Sequence, residues 1–267
     1  MKMYLSAFRI RFINSLQYRA AAFGAIITRF AWGFMEILAY TMLYRTGSAA
    51  FPMDLSQTVS YIWMQQILIV LFSVVFADGE IYTAIGSGSI AYELVRPMNL
   101  YGRWFCQSAG NRVAFTMLNC LPALLIALII PKPYRMSLPP DIGQLFLFLV
   151  SVVLALCVVV AFAMLMYISL FYTLSYRGIR IIVTALTMFL SGGVIPLPFF
   201  PAPVLSVVQM LPFAAMQNMP LLIYSGNIAG VDALKGIFFQ IFWLAALFLI
   251  GQLSMNRALK RVVVQGG

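Results

Sequence analysis

The chain has no histidine, and only 9% of its 267 residues are charged. Without an imidazole there is no Ser-His or Cys-His device and no His-ligated zinc. Soluble domains carry about 25% charged residues. The 17 Lys/Arg and 7 Asp/Glu of this chain are too few to cover a surface that faces water. A soluble enzyme, a nucleic-acid binder and a disordered segment are excluded together, which leaves an integral membrane protein. Cysteine is also scarce. Cys106, Cys120 and Cys157 are odd in number, sit in or beside apolar stretches and form no CxxC pair. That spacing argues against disulfide staples and thiolate metal sites. No Gly-Lys pair occurs, so the phosphate loop GxxxxGK[ST] is missing and ATP is not bound by that route.

Apolar residues make up 63% of the chain. A helix crossing a ~30 Å hydrocarbon core needs roughly 20 of them in succession. Such runs cover about 21–44, 58–77, 113–130 and 144–172, the stretch up to 190 after the LSYRGIR at 174–180, and 236–255. Between the last two lies 194–235, apolar but broken by Pro196, Pro198, Pro201, Gln209, Pro212, Gln217 and Pro220. Proline cannot continue the hydrogen-bonded ladder that a lipid-exposed helix must keep.

Charge sets the topology. With six spans and the N-terminus inside, one side holds Lys2, Arg9, Arg11, Arg19, Arg96, Arg103, Arg112, Arg177, Arg180, Arg257, Lys260 and Arg261. The other side holds Arg45, Lys132, Arg135 and Lys235, and Arg29 lies within the first span. This bias is the positive-inside pattern, and a seventh span would spoil it. The expectation is one all-α transmembrane domain over 1–267 in the cell membrane, with both termini cytoplasmic and 194–235 dipping back into the outer leaflet. Residues 1–19 are too polar for a signal peptide. Leu5, Phe8 and Phe12 at helical spacing, with Arg9 and Arg11 beside them, predict an amphipathic helix in the headgroup layer.

The longest polar stretch, 78–112, falls on the cytoplasmic side and opens with DGEIYTAIGSGSIAYELVRPMNL. Ile81, Ala84 and Ile85 recur at helical spacing, and Gly86-Ser87-Gly88 stops that helix. Such a segment is either an interfacial helix or a docking element for a cytosolic partner.

In the first span Arg29, Gly33, Glu36 and Tyr40 lie on one helical face. A charge at mid-membrane costs about 2.5–3.5 kcal/mol on insertion scales, so it points into protein or water. Arg29 is near enough to the inner surface to snorkel. Glu36 is deeper, and is either a structural partner of a polar group or part of a translocation path. Gln65 and Gln66 in the second span, with Asn119 and Pro122 in the third, are weaker path candidates, since polar residues in spans also bond helix to helix.

GSGSIAYELVRP at 86–97, SGGVIPLPFFP at 191–201 and LPF at 211–213 stand in a particular order within the six-span pattern. In these motifs, and over essentially its whole length, the chain resembles the type-two ABC exporter permeases, in the branch of small six-span bacterial permeases. The resemblance implies two permeases, identical or sister subunits, with two ATP-binding subunits that carry ATP and magnesium; this chain itself needs no cofactor. It also implies a coupling helix around 79–93, with Glu80, Ile81, Tyr82, Ile85, Gly86, Gly88, Tyr92, Glu93 and Arg96 as ATPase contacts. The outer segment carrying Gly192, Gly193, Pro196, Pro198, Pro201 and Pro212 would form short re-entrant helices. Arg29, Glu36, Tyr40, Gln65 and Asn119 are the path candidates.

An intramembrane enzyme, in a chain without histidine, is left with a Ser-Lys or Asp-Asp device, but only Glu36 among the carboxylates is well inside a span, and every lysine lies outside the spans. An ion-driven carrier or channel is the alternative to an ABC permease. Such carriers place charges in several spans and break helices in matching halves. Here only one span is charged.

Overall fold

The computed structural model describes residues 2–16, 19–47, 51–74, 79–86, 89–95, 97–173 and 176–260, with no strand among them. Helix α1 (Lys2–Ser15) precedes α2 (Arg19–Thr46) and α3 (Leu55–Phe72). Two short helices, α4 (Gly79–Gly86) and α5 (Ile90–Leu94), lead into α6 (Leu100–Ile129), followed by α7 (Ile142–Ser169) and α8 (Tyr176–Leu190). A 3-10 turn at Leu197–Phe199, α9 (Ala202–Val208) and a π-helical turn at Ala214–Asn218 come next. The π turn runs into α10 (Met219–Ser225), and α11 (Gly230–Leu259) follows. Among the described residues, five helices are long and apolar enough to cross a membrane: α3, α6, α7, α11 and α2 from Ile26 onward. Helix α8, at 15 residues, reaches about 22 Å.

Polar caps set the helix starts. Asp54 accepts from the Gln57 amide at 2.7 Å while Gln57 Oε1 accepts from the Asp54 amide at 3.0 Å, a reciprocal capping box for α3. Asp141 accepts from the Gln144 amide at 2.7 Å at the head of α7. Asn99 caps α6 by accepting from the Gly102 amide at 3.0 Å. Helix α6 therefore begins at Leu100, well before the apolar run at 113. The polar stretch 78–112 is divided between α4, α5 and the first turns of a long helix.

Those first turns are covered by α1. A Cβ at Gly102 would stand 3.0 Å from the Tyr4 ring, and one at Gly110 would stand 2.7 Å from the Phe8 carbonyl oxygen. The Asn99 amide donates to Tyr4 Oη at 3.2 Å, and Ser15 Oγ donates to Asn111 Oδ1 at 2.7 Å. Of the expected apolar face, Phe8 packs inward and stacks with Phe12 at 6.1 Å. Leu5 is 69% exposed, because Tyr4, Phe8 and Ser15 supply the packed face in its place.

The 197–225 segment consists of short helical pieces, and α10 packs against α3, α7 and α11. Its irregular backbone is satisfied by side chains. Gln144 Nε2 on α7 donates to the Ile223 and Ile228 carbonyls, each at 2.7 Å, beside the left-handed Gly226 (φ +75°) that ends α10. Gln240 on α11 is fully buried. Its Nε2 donates to the Ala215 carbonyl in the π turn at 2.9 Å and to the Ser151 carbonyl at 3.1 Å; its Oε1 accepts from Ser151 Oγ at 2.9 Å. Pro220 has no N–H to extend a regular ladder, so non-helical backbone sits where polar side chains reach it.

Candidate functional site

The expected coupling residues divide into an inward and an outward set. Ile81 is 4% exposed and joins Ile90, Tyr101, Trp104 and Tyr167 in one apolar cluster, with Tyr82 and Ile85 packed against it. The Tyr82 and Tyr167 rings lie 5.0 Å apart. Glu80 pairs with Arg11 of α1, and Glu93 with Arg103 of α6. Facing outward are Tyr92 at 79% and Val95 at 84% exposure, with Leu94 beside them. Gly86, at the end of α4, is exposed. Gly88 and Arg96 lie outside the described residues. Helices α4 and α5 thus form a pad fixed to α1, α6 and α7 on one side, with an aromatic-aliphatic edge on the other. The 3.6-residue period locates such a helix, but only the neighbouring helices decide which face is buried.

The polar face of the first span meets α3. Gly33 permits a close crossing: a Cβ there would stand 2.8 Å from Gln66 Cγ. The Gln66 side chain hydrogen-bonds to Glu36, whose Oε1 is buried with no hydrogen-bond partner. Arg29 lines a narrow gap with Phe30, Trp63 and Gln66. The Tyr40 ring lies 5.0 Å from Phe199 of the 197–199 turn. Asn119 is separate from this group; its Nδ2 donates to the Phe115 carbonyl of its own helix at 2.5 Å, and its Oδ1 is buried without a partner.

A third polar group joins α3 to the Ser-Gly-Gly segment. Tyr61 Oη donates to Asn218 Oδ1 at 3.1 Å, and Gln65 Nε2 donates to the Gly193 carbonyl at 3.0 Å. Gln217 Nε2 reaches the Gly192 carbonyl at 3.4 Å. Gly192 has φ +81°, in the left-handed region where glycine is favoured. Pro196 and Pro212 are buried, Pro198 is half-buried, and Pro201 is exposed at the start of α9. Gln65 and Gly193, far apart in sequence, are brought into direct contact. Gln65 and Asn119 share no such contact.

Several residues of these groups give no local signal. Tyr61, Gln144 and Gln240 stand in apolar runs, and each donates to a carbonyl of the 192–228 segment that only its bends set free. Arg112 is fully buried, with Nη2 donating to the Val74 carbonyl at 3.3 Å, and Arg103 is 8% exposed. These two cations, counted with the cytoplasmic charge, are held by protein groups instead of headgroups.

A family model described as ABC-2 family transporter protein matches residues 30–266. No curated protein matches the chain. The family match covers every helix from within α2 to α11, together with the α4–α5 pad and the polar contacts of α3. The chain is a multi-pass membrane transport component and belongs to the ABC-2 transporter family.

Proposed function

We propose that this chain is the permease subunit of an ATP-driven ABC exporter in the cell membrane. It forms the translocation path with a second permease, the same chain or a sister subunit. A separate ATP-binding subunit holds ATP and magnesium and supplies the energy. In this reading α8 is the sixth span, both termini are cytoplasmic, and 197–225 re-enters from the outer leaflet. The bias of cationic residues toward one side supports that orientation.

The observation that carries the reading is the two-sided pad of α4 and α5. Tyr92, Leu94 and Val95 offer an aromatic and aliphatic edge of the kind that anchors protein interfaces. Behind them Ile81, Ile90 and Tyr82 are packed on Tyr101, Trp104 and Tyr167, so a push on the edge is delivered to α6 and α7 without slack. The Arg11–Glu80 and Arg103–Glu93 pairs hold the pad in register with α1 and α6. Closure of the ATPase moves the pad, and the pad moves the spans.

The test is a pair of substitutions of opposite kind. Tyr92→Asp with Val95→Asp alters exposed positions only; the protein folds, while the ATP-binding subunit is lost on purification and ATP-driven transport fails. Ile81→Asp instead lowers stability. Retention of the ATPase with full ATP-driven transport in the Tyr92→Asp/Val95→Asp protein contradicts the docking edge.

A further inference from the structure

Helices α6 and α7 are joined through 131–141, and between them, over α3, runs an apolar groove of about 340 Å³. Its floor is Met64, Ile67 and Leu68 of α3, all buried. Helix α6 gives one wall with Cys120, Leu124 and Leu128, and α7 gives the other with Leu145, Leu149 and Val152, each set at helical spacing. Leu149 is 53% exposed, so the groove opens sideways, toward lipid. Tyr224 of α10 carries the only hydroxyl in the lining. None of Arg29, Glu36, Tyr40, Gln65 and Asn119 lines it, so it is distinct from the expected path.

Cys120 stands nine residues before the end of α6, and Val152 stands ten residues after the start of α7. At 1.5 Å per residue the groove is about 14–15 Å long, half of a ~30 Å hydrocarbon core. It reaches from the 131–141 end of the spans to mid-membrane, the depth of one leaflet. At the 131–141 end Met136, Leu138 and Pro139 close it. That segment is pinned in place. Trp63 Nε1 donates to the Tyr134 carbonyl at 2.8 Å, the Ser137 amide donates to Ser60 Oγ at 2.9 Å, and the Met136 amide donates to the Ala127 carbonyl at 3.0 Å. The same segment carries Lys132 and Arg135, both exposed and neither in an ion pair among the described residues. Its one carboxylate, Asp141, is engaged in capping α7.

We propose that this groove holds one acyl chain of an anionic phospholipid, whose phosphate lies at Lys132 and Arg135. An alkyl chain brings no hydrogen-bonding group to walls that have almost none to answer it. A peptide strand laid there would leave its backbone N–H groups unpaired. A helix is about 10 Å across, so it would bridge the walls and reach the floor only with its side chains. The two free cations sit at the end where a headgroup anchored to a one-leaflet chain must lie, and an anionic headgroup is the one they favour. Lipid binding here needs neither an ATPase nor transport, so it stands or falls apart from the permease reading.

The test uses the full chain in phosphatidylcholine nanodiscs that contain a trace of photoreactive lipid, with a diazirine midway along one acyl chain. Phosphatidylglycerol and phosphatidylcholine forms of that lipid are compared, and labelled peptides are mapped by mass spectrometry. The phosphatidylglycerol form is expected to label 120–128 and 145–152 at least about fivefold more, the effect of one such cation on an anionic lipid. Lys132→Gln with Arg135→Gln alters exposed positions only and is expected to remove that preference. Leu124→Trp, which fills the groove, is expected to suppress labelling of 145–152 by both lipids. Where Leu124→Trp does not fold, the Lys132→Gln/Arg135→Gln protein still decides. Equal labelling by the two lipids, the mark of ordinary boundary lipid, overturns the proposal, as does a preference that survives the double substitution. No labelling of 120–128 and 145–152, the result when a second copy covers the groove, overturns it as well.

Discussion

Tyr61 and Gly192 meet at a contact that requires glycine. A Cβ at position 192 would stand 2.6 Å from Tyr61 Oη, and the residue's φ of +81° is one that L side chains rarely adopt. Gly192→Ala is therefore expected to destabilise the protein by about 1–3 kcal/mol. Tyr61→Phe removes both the clashing oxygen and the hydrogen bond to Asn218. In a thermal-melt double-mutant cycle the two changes together should cost less than the sum of their separate effects. Strict additivity would show that Tyr61 and Gly192 do not touch.

Gln240 binds three elements at once, through Ser151 of α7 and the Ala215 carbonyl of the π turn. Gln240→Leu keeps the volume and leaves those buried groups unpaired, at a cost of about 1–3 kcal/mol. Reduced melting temperature and faster amide exchange in 214–225 are the expected results. Unchanged exchange there would mean that the π turn does not depend on Gln240.

Gly110 sets the approach of α1 to α6. A side chain there meets the Phe8 backbone oxygen at 2.7 Å, which no rotamer change relieves. Gly110→Leu is expected to lift α1 from α6. A thiol pair made by Ser15→Cys and Asn111→Cys, at positions whose side chains are hydrogen-bonded at 2.7 Å, should then lose its ability to form a disulfide. Undiminished crosslinking would place α1 elsewhere.

Glu36 depends on Gln66 for a hydrogen bond. Gln66→Leu strips the carboxyl of it and should lower the yield of folded protein; Glu36→Gln in the same chain should restore much of that yield, because a neutral amide is cheaper to bury. If Gln66→Leu alone is as stable as wild type, Glu36 is held by something other than Gln66.

Much of this architecture is legible along the chain, where a single helix carries its own signal. Apolar runs mark α3, α7 and the other long helices. The prolines between 196 and 220 forbid another regular span. What is not legible depends on partners distant in sequence. The polar residues 100–112 read as a loop because burial of Arg103 and Arg112 requires α1 and Val74 to be in place. Ile81 and Tyr92 read alike as docking residues, yet one is buried against Trp104 and Tyr167 and the other faces out. Gln65 reads as a path residue or a helix–helix contact, and only the fold brings it to the Gly193 carbonyl.

The claim that this chain supplies the path while another supplies the energy is tested most directly by isolating it intact, in mild detergent, from the cells that make it. The isolated assembly is reconstituted in proteoliposomes, and ATP hydrolysis and solute movement are measured with and without a proton gradient. The expected result is hydrolysis that tracks a bound ATP-binding-cassette subunit, transport that needs ATP, and loss of both with Tyr92→Asp/Val95→Asp. Transport driven by the proton gradient alone, in an assembly free of any ATPase, would contradict the account.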